Sequence, residues 1–309
     1  MTAFKNLLTK DYQTVKKQLF VPLWIILGLY VIFTFSIIIA YAKGDANLVM
    51  GGIPMELLGN ADLHRAISFA LQAGLFLGFL GLIFAIPMTV LSATLLNSDI
   101  KHKCELFHRS QPVSVWKNTA SRYVAGIGGL VGLAFLAGLF QLVAGNILLA
   151  ILTPMKVDWW LAFNGFLLSW MHLSISITVL GSLGFLLSAV FKDNAIGKGA
   201  LAIGAVDIAI VIMNYYLKLG IPALSKNLFK LVYSNISDFS NVFPTMQYGI
   251  VMGSNARTTG DISAFTLPQG FLSGLYGSVF TWETLAKAGL CVALYALATF
   301  IYKKREVQF

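Results

Sequence analysis

Lys101–Lys117 reads KHKCELFHRSQPVSVWK, the most polar and charged run between the first and last apolar segments of the chain. The segments on either side, about Ala66–Leu96 and Tyr123–Leu152, are predominantly apolar. Each exceeds the ~20 residues with which a helix crosses ~30 Å of hydrocarbon. A short charged hook between two over-long apolar segments belongs to a polytopic helical membrane protein.

Composition agrees. Of 309 residues, 57% are hydrophobic and only 11% charged, against roughly 25% charged in soluble domains. Too little polar side chain exists to cover a water-facing surface. The net charge of +9 is not a nucleic-acid signal, because the Lys and Arg residues gather at the ends of apolar segments, where topology and anionic lipid account for them. Cys104 and Cys291 fall at different expected depths, so no disulfide is predicted and no cysteine metal site.

Working outward from the hook gives six spans in one transmembrane domain, 1–309. Residues 1–20 are predicted to form an amphipathic helix, with Phe4, Leu7, Leu8, Tyr12, Val15 and Leu19 on one stripe and Lys5, Lys10, Lys16 and Lys17 mostly off it. Such a helix rests in the membrane interface. Pro22 is expected to break it from the first span, Leu23–Tyr41. Ala40-Tyr41-Ala42 resembles a leader-cleavage site, but the apolar run before it is too long for one. The second span, Ala66–Leu96, is expected as one tilted helix kinked at Pro87, with Gly74, Gly78 and Gly81 offering close packing. The third is Tyr123–Leu152, the fourth Leu161–Phe191 after interfacial Trp159 and Trp160, the fifth Ala200–Tyr216 and the sixth Thr284–Tyr302. Residues 217–283 are semi-polar. They are predicted to dip into the membrane without crossing, with an amphipathic helix around Leu224, Leu228, Leu231 and Val232.

With six spans, the N-terminus, the 97–121 loop, the 192–199 turn and the Lys303-Lys304-Arg305 tail share one side. That side carries most of the Lys and Arg residues, so it is predicted to be cytosolic. The protein is then a multi-pass protein of the inner or plasma membrane, both termini inside and 217–283 outside.

No motif for chemistry stands out. Gly197-Lys198-Gly199 lacks the earlier glycine and the following Ser or Thr that a phosphate-cradling loop needs. The chain is therefore not expected to hydrolyse ATP alone, no catalytic residue is assigned, and no metal site is expected from its scattered histidines. Asp207 and His172 are the ionisable residues deep within spans. They are candidates for a pathway, with an interhelical hydrogen bond as the structural alternative. Glu283 and Lys287 stand four apart and are expected to pair.

The hook itself reads as a short helix. Asn97-Ser98-Asp99 supply capping acceptors, residues 100–110 make the turns, Pro112 ends them, and Ser114 opens the next helix. A short helix across the mouths of two long spans is placed to receive force from a docked partner.

Glu105, Arg109, Ser110, Pro112, Val113 and Ser114, following a second span, resemble the Glu-then-[RS]-[LM]-P-[VI]-[ST] stretch of the ABC-2 type permeases. These are the membrane subunits of ATP-binding-cassette exporters. Gln111 stands where an apolar residue is usual. The resemblance extends in layout to an amphipathic N-terminal helix, six spans, a large outer segment and a basic tail. It implies an all-α membrane protein in which residues 1–20 form an elbow helix, with Tyr12, Lys16 and Lys17 near the partner. The hook, with Glu105, Phe107, His108, Arg109, Ser110, Pro112, Val113 and Ser114, would be the coupling helix. Residues 217–283 would hold outer re-entrant helices. It also implies two copies of a cytosolic ATPase subunit that carry the ATP and Mg, no cofactor in this chain, and a second permease chain, identical or a close paralogue. The apolar, aromatic spans favour an amphipathic peptide, lipid or drug as cargo. A stand-alone secondary transporter and a non-transporting scaffold or signalling subunit are the rival readings.

Overall fold

A computed structural model describes residues 2–42, 61–74, 77, 80–97, 113–152, 156–242 and 271–304. Among the described residues there is no β-strand, and five helices are long and apolar enough to cross a membrane. The molecule is an all-α membrane protein.

Helix α1, Thr2–Ala42, has 41 residues and runs through Pro22 without a break. The expected separation of residues 1–20 from the first span is therefore corrected. A proline in a membrane helix is tolerated when neighbouring groups shield the freed carbonyl, and Pro22 is buried in the bundle. At 1.5 Å per residue the helix is about 60 Å long, twice the hydrocarbon core, so half of it must lie outside. The lysine-bearing N-terminal half is the part suited to that. Its buried line is Leu7, Asp11, Val15, Leu19 and Ile26, while Phe4 and Tyr12 are exposed.

The second apolar segment is described in two helical stretches. α2 spans Ala61–Gly74 and α3 spans Gly81–Ser92, with wide π-type turns at Leu77 and Leu80. Pro87, where a kink is expected, sits inside α3, and Gly78 lies outside the described residues.

α4, Val115–Tyr123, opens on Ser114, whose hydroxyl accepts from Lys117 N at 3.4 Å. It passes through one π turn, Val124–Gly128, into α5, Gly129–Leu152. α6, Trp159–Val190, is capped by Asp158, whose Oδ1 accepts from Leu161 N at 3.0 Å. Asp158 also pairs with Arg65 Nε of α2 at 2.9 Å, which fastens that end of the bundle. α7, Ala195–Leu217, follows a tight turn in which Asn194 takes φ 44° and caps the helix through its side chain. α8 is Leu224–Val242, α9 is Phe271–Val279 and α10 is Trp282–Lys304.

α6 is the axis of the bundle. It touches α2, α3, α5, α7, α8, α9 and α10. Over half of its apolar window, 56%, is buried, against 6% for α7. Glycines allow the crowding. A Cβ at Gly165 would lie 2.7 Å from the Phe69 carbonyl oxygen of α2, and one at Gly181 would meet Met88 Sδ of α3 at 2.7 Å. Gly74, by contrast, faces open space. The close-packing surface therefore lies on the fourth apolar segment rather than on Gly74 of the second. The main core joins Leu19 and Ile26 of α1, Phe84 and Met88 of α3, Leu130 of α5, and Phe166 and Phe185 of α6.

Candidate functional site

Three polar contacts, two of them buried, gather where the hook leaves and re-enters the bundle. Asn97 Nδ2 donates to the Phe191 carbonyl at 2.8 Å, tying the departing strand of the hook to the end of α6. Arg122 Nη1 donates to the Leu95 carbonyl at 3.3 Å, tying the returning helix to the departing turn. Ser121 Oγ donates to Asp11 Oδ2 at 2.5 Å, tying that helix to α1. Asp11, Ser121 and Arg122 are all buried. A carboxylate and a guanidinium are costly to bury unless bonded, so these contacts fix the three helices in register.

The same root is braced against α10. Thr119 Oγ1 lies 3.0 Å from Thr299 Oγ1 and 3.2 Å from the Tyr295 hydroxyl, which donates to the Trp116 carbonyl at 2.9 Å. Tyr123 sits edge-on to Phe185 and Tyr295, and its hydroxyl is 2.6 Å from Ser182 Oγ of α6. Movement at residues 113–123 thus reaches α1, α6 and α10 directly.

Of the hook residues singled out from sequence, Glu105, Phe107, His108, Arg109, Ser110 and Pro112 lie outside the described residues, as does Cys104. Val113 is half-buried, and Ser114 is the exposed cap of α4. Tyr12, Lys16 and Lys17 are exposed on α1. Asp11, Ser121 and Arg122 were missed by sequence reasoning. The buried line of α1 is centred one residue from Tyr12, and a lone Asp among lysines reads as surface.

Asp207 and His172 are not brought together. Asp207 Oδ1 accepts from Leu224 N at 2.6 Å and Ser225 N at 3.2 Å, so it caps α8 from the side of α7. It stands about 15 Å of helix rise short of Leu217, where α7 ends. Asn214 holds Ile221 from both sides, accepting from its N–H at 2.8 Å and donating to its carbonyl at 2.7 Å. The chain therefore turns back beside α7 before α8 begins. α8 then passes Val179 of α6 and Cys291 of α10 and reaches Glu283, where Ser234 Oγ donates at 2.8 Å. A helix that starts part-way along a spanning helix has N–H groups that lipid cannot satisfy, and the Asp207 carboxylate satisfies two of them. His172 is buried, with Nε2 3.2 Å from Ser278 Oγ of α9.

The expected Glu283–Lys287 pair is present at 2.9 Å, and Lys287 also donates to Ser234. What sequence reasoning missed is that Lys287 is buried, with α8 closed over it. Between α2 and α5, Gln72 Nε2 donates to Asn146 Oδ1 at 2.9 Å, both side chains buried. Among the described residues, no group of three His, Cys, Asp or Glu is arranged to hold a metal. Outside the spans, Lys198 beside Asp193, 2.6 Å away, holds that carboxyl below the usual carboxylate range.

No family model, no curated protein and no solved structure matches this chain.

Proposed function

We propose that this chain is the membrane-spanning permease of an ATP-driven exporter of the ABC-2 type, powered by a separate ATPase subunit. The observation that carries the reading is the root of the hook. A charged stretch with Glu105, Arg109, Ser110, Pro112, Val113 and Ser114 leaves and re-enters the bundle between residues tied to α1, α6 and α10. Bonded at both ends, such a segment transmits a push to the spans instead of absorbing it. A solvated linker has no need of a buried Asp11–Ser121 contact at its base.

Other features support the same reading. A sixth crossing through α2 and α3 would put both termini and the hook on one side, and the lysine-rich character of that side supports its being cytosolic. The N-terminal half of α1, continuous with the first span and too long to be immersed, serves in place of a separate elbow as the part that meets the partner. α8 and α9 are the re-entrant outer helices. α7 is apolar and almost wholly uncovered, a surface suited to a second permease chain as well as to lipid. The cargo is an amphipathic or hydrophobic molecule, in keeping with the apolar, aromatic composition of the spans.

The test is purification of the full chain in a mild detergent from its native host, with mass spectrometry of what accompanies it. A stoichiometric soluble partner carrying a phosphate-binding loop is expected. In that complex, Glu105→Ala and Arg109→Ala should lower transport-coupled ATP turnover while the partner stays bound. Reproducible absence of such a partner from folded protein overturns the reading in favour of a secondary transporter, and Asp207 and His172 then become the residues to vary.

A further inference from the structure

α8 carries two lysines at a depth where hydrocarbon offers them nothing. Its first turn is fixed to Asp207 of α7 through Leu224 N. Asp207 stands about 15–18 Å of helix rise from either end of α7. Further along α8, Val232 packs with Val179 of α6 and Cys291 of α10. Cys291 is about 13 Å from the start of α10 and about 20 Å from its end. The stretch from Leu224 to Val232 is therefore held at mid-depth at both ends. Lys226 and Lys230 lie between those ends, and both are exposed.

Standing four apart, the two lysines share one face of α8, with about 5–6 Å between their Cβ atoms. Phe229 is exposed on the same face and stacks on Tyr233, the ring centroids 4.3 Å apart. Neither lysine has an ion-pair partner among the described residues. Glu283 is engaged by Lys287, and Asp207 by the first N–H groups of α8. A four-carbon stem does not span the ~15 Å from mid-plane to the edge of the hydrocarbon, so the charges cannot reach bulk water by snorkelling.

A charge at this depth persists only when it is paired or solvated. Two like charges one turn apart repel, and a single anion between them relieves both. A second copy of this chain would present the same excess of lysine on this face and set cation against cation. The lipid around the bundle supplies the anion instead. A phosphodiester brings a negative charge and acceptor oxygens that two ammonium groups bond together, while its acyl chains lie against Phe229. Basic clusters on membrane helices recognise acidic headgroups in this way. We infer that Lys226 and Lys230 bind the phosphate headgroup of an anionic phospholipid, drawn from its leaflet to the mid-depth of the bundle along the exposed face of α8. The site does not depend on the exporter reading, because binding needs no ATPase.

The test uses the full chain in phosphatidylcholine nanodiscs doped with phosphatidylglycerol that carries a diazirine on its headgroup. Labelling is expected on peptides covering Leu224 to Val232, which a headgroup kept at the bilayer surface does not reach. Unlabelled phosphatidylglycerol should compete and soluble glycerol phosphate should not. Lys226→Gln and Lys230→Gln should each lower this labelling roughly tenfold or more, the worth of one charge-assisted hydrogen bond. Lys226→Arg should retain it, as should Lys218→Gln at the end of α7. Should a glutamine variant fail to fold, the arginine variant and the competition series carry the test. Equal labelling by a phosphatidylcholine bearing the same diazirine overturns the inference, as does labelling that survives both glutamine changes. Competition by soluble glycerol phosphate overturns the lipid as the source of the anion, and absence of label from this stretch overturns the site.

Discussion

Glu283→Ala should loosen the α8–α10 joint far more than Lys287→Met, although the two changes remove the same ion pair. The asymmetry comes from where the charges sit. The Lys287 side chain is 3% exposed and the Glu283 side chain 53%. Removing Glu283 strands a buried ammonium with the Ser234 hydroxyl but without this counter-charge. Breaking a buried pair from one side costs about 3–5 kcal/mol. The half-exposed mouth of the site and the retained hydroxyl place the expected cost at the low end, about 3 kcal/mol. Removing Lys287 instead leaves a carboxylate that water already reaches, and methionine fills the vacated stem. The expected cost is then about 0–1 kcal/mol, the range of solvent-exposed pairs. The double variant carries no buried charge and should return to near the stability of Lys287→Met.

Cys291 provides the readout. It is buried, and it packs with Val179 and Val232 where α8 lies over α10. In a Cys104→Ser background its modification by N-ethylmaleimide reports opening of that joint. A cost of about 3 kcal/mol corresponds to a rate increase of roughly a hundredfold where opening is a fast pre-equilibrium. The expected order is Glu283→Ala fastest, with Lys287→Met and the double variant near the parent rate. Equal acceleration by both single changes would mean that Lys287 is not electrostatically committed to Glu283. Failure of the double variant to recover would mean that Glu283 acts through something other than the lysine. Either result refutes the reasoning.

Gly165→Ala places a methyl 2.7 Å from a backbone oxygen of α2 and should cost about 1–3 kcal/mol, read as a fall in melting temperature. Gly132→Ala meets nothing within 4 Å and should be neutral or slightly stabilising. Asp207→Asn should keep the cap on α8 and Asp207→Leu should lose it, seen as faster deuterium uptake at Leu224 and Ser225 in the leucine variant alone. At the α6–α7 turn, the depressed Asp193 carboxyl contributes its small stabilisation above its unfolded-state pKa and loses it as pH falls through the lower folded value. The melting temperatures of the parent and Asp193→Asn should therefore differ by a constant, small amount at neutral pH and converge only in acid.

Much of this architecture is legible in one dimension because the bilayer makes it so. A segment that must satisfy every backbone group internally reveals itself by length and apolarity alone. Hence Leu161–Phe191 and Thr284–Tyr302 were placed within a few residues of α6 and α10, and the helix at Leu224–Val232 was expected before it was seen. One joint is misplaced. Proline is a strong local signal, so Pro22 drew the expected break. In the bundle Pro22 is buried, and α1 runs on through it.

Pairing across the bundle is the part that was not legible. Asp11, Ser121 and Arg122 are three ordinary polar residues until a fold places them together, and Lys287 is an interfacial lysine until α8 covers it. Asp207 shows the limit most clearly. An acid in the middle of an apolar segment carries the same sequence signal whether it serves a conduction path or a cap, because both answer the cost of a charge in hydrocarbon. Only the position of Leu224 N, 2.6 Å away, identifies the group it satisfies. The carboxylate that looked like a candidate for moving something across the membrane holds in place the start of a helix that could not otherwise begin there. Any pathway through this chain must therefore be built without spending that charge, or must open by releasing α8 from it.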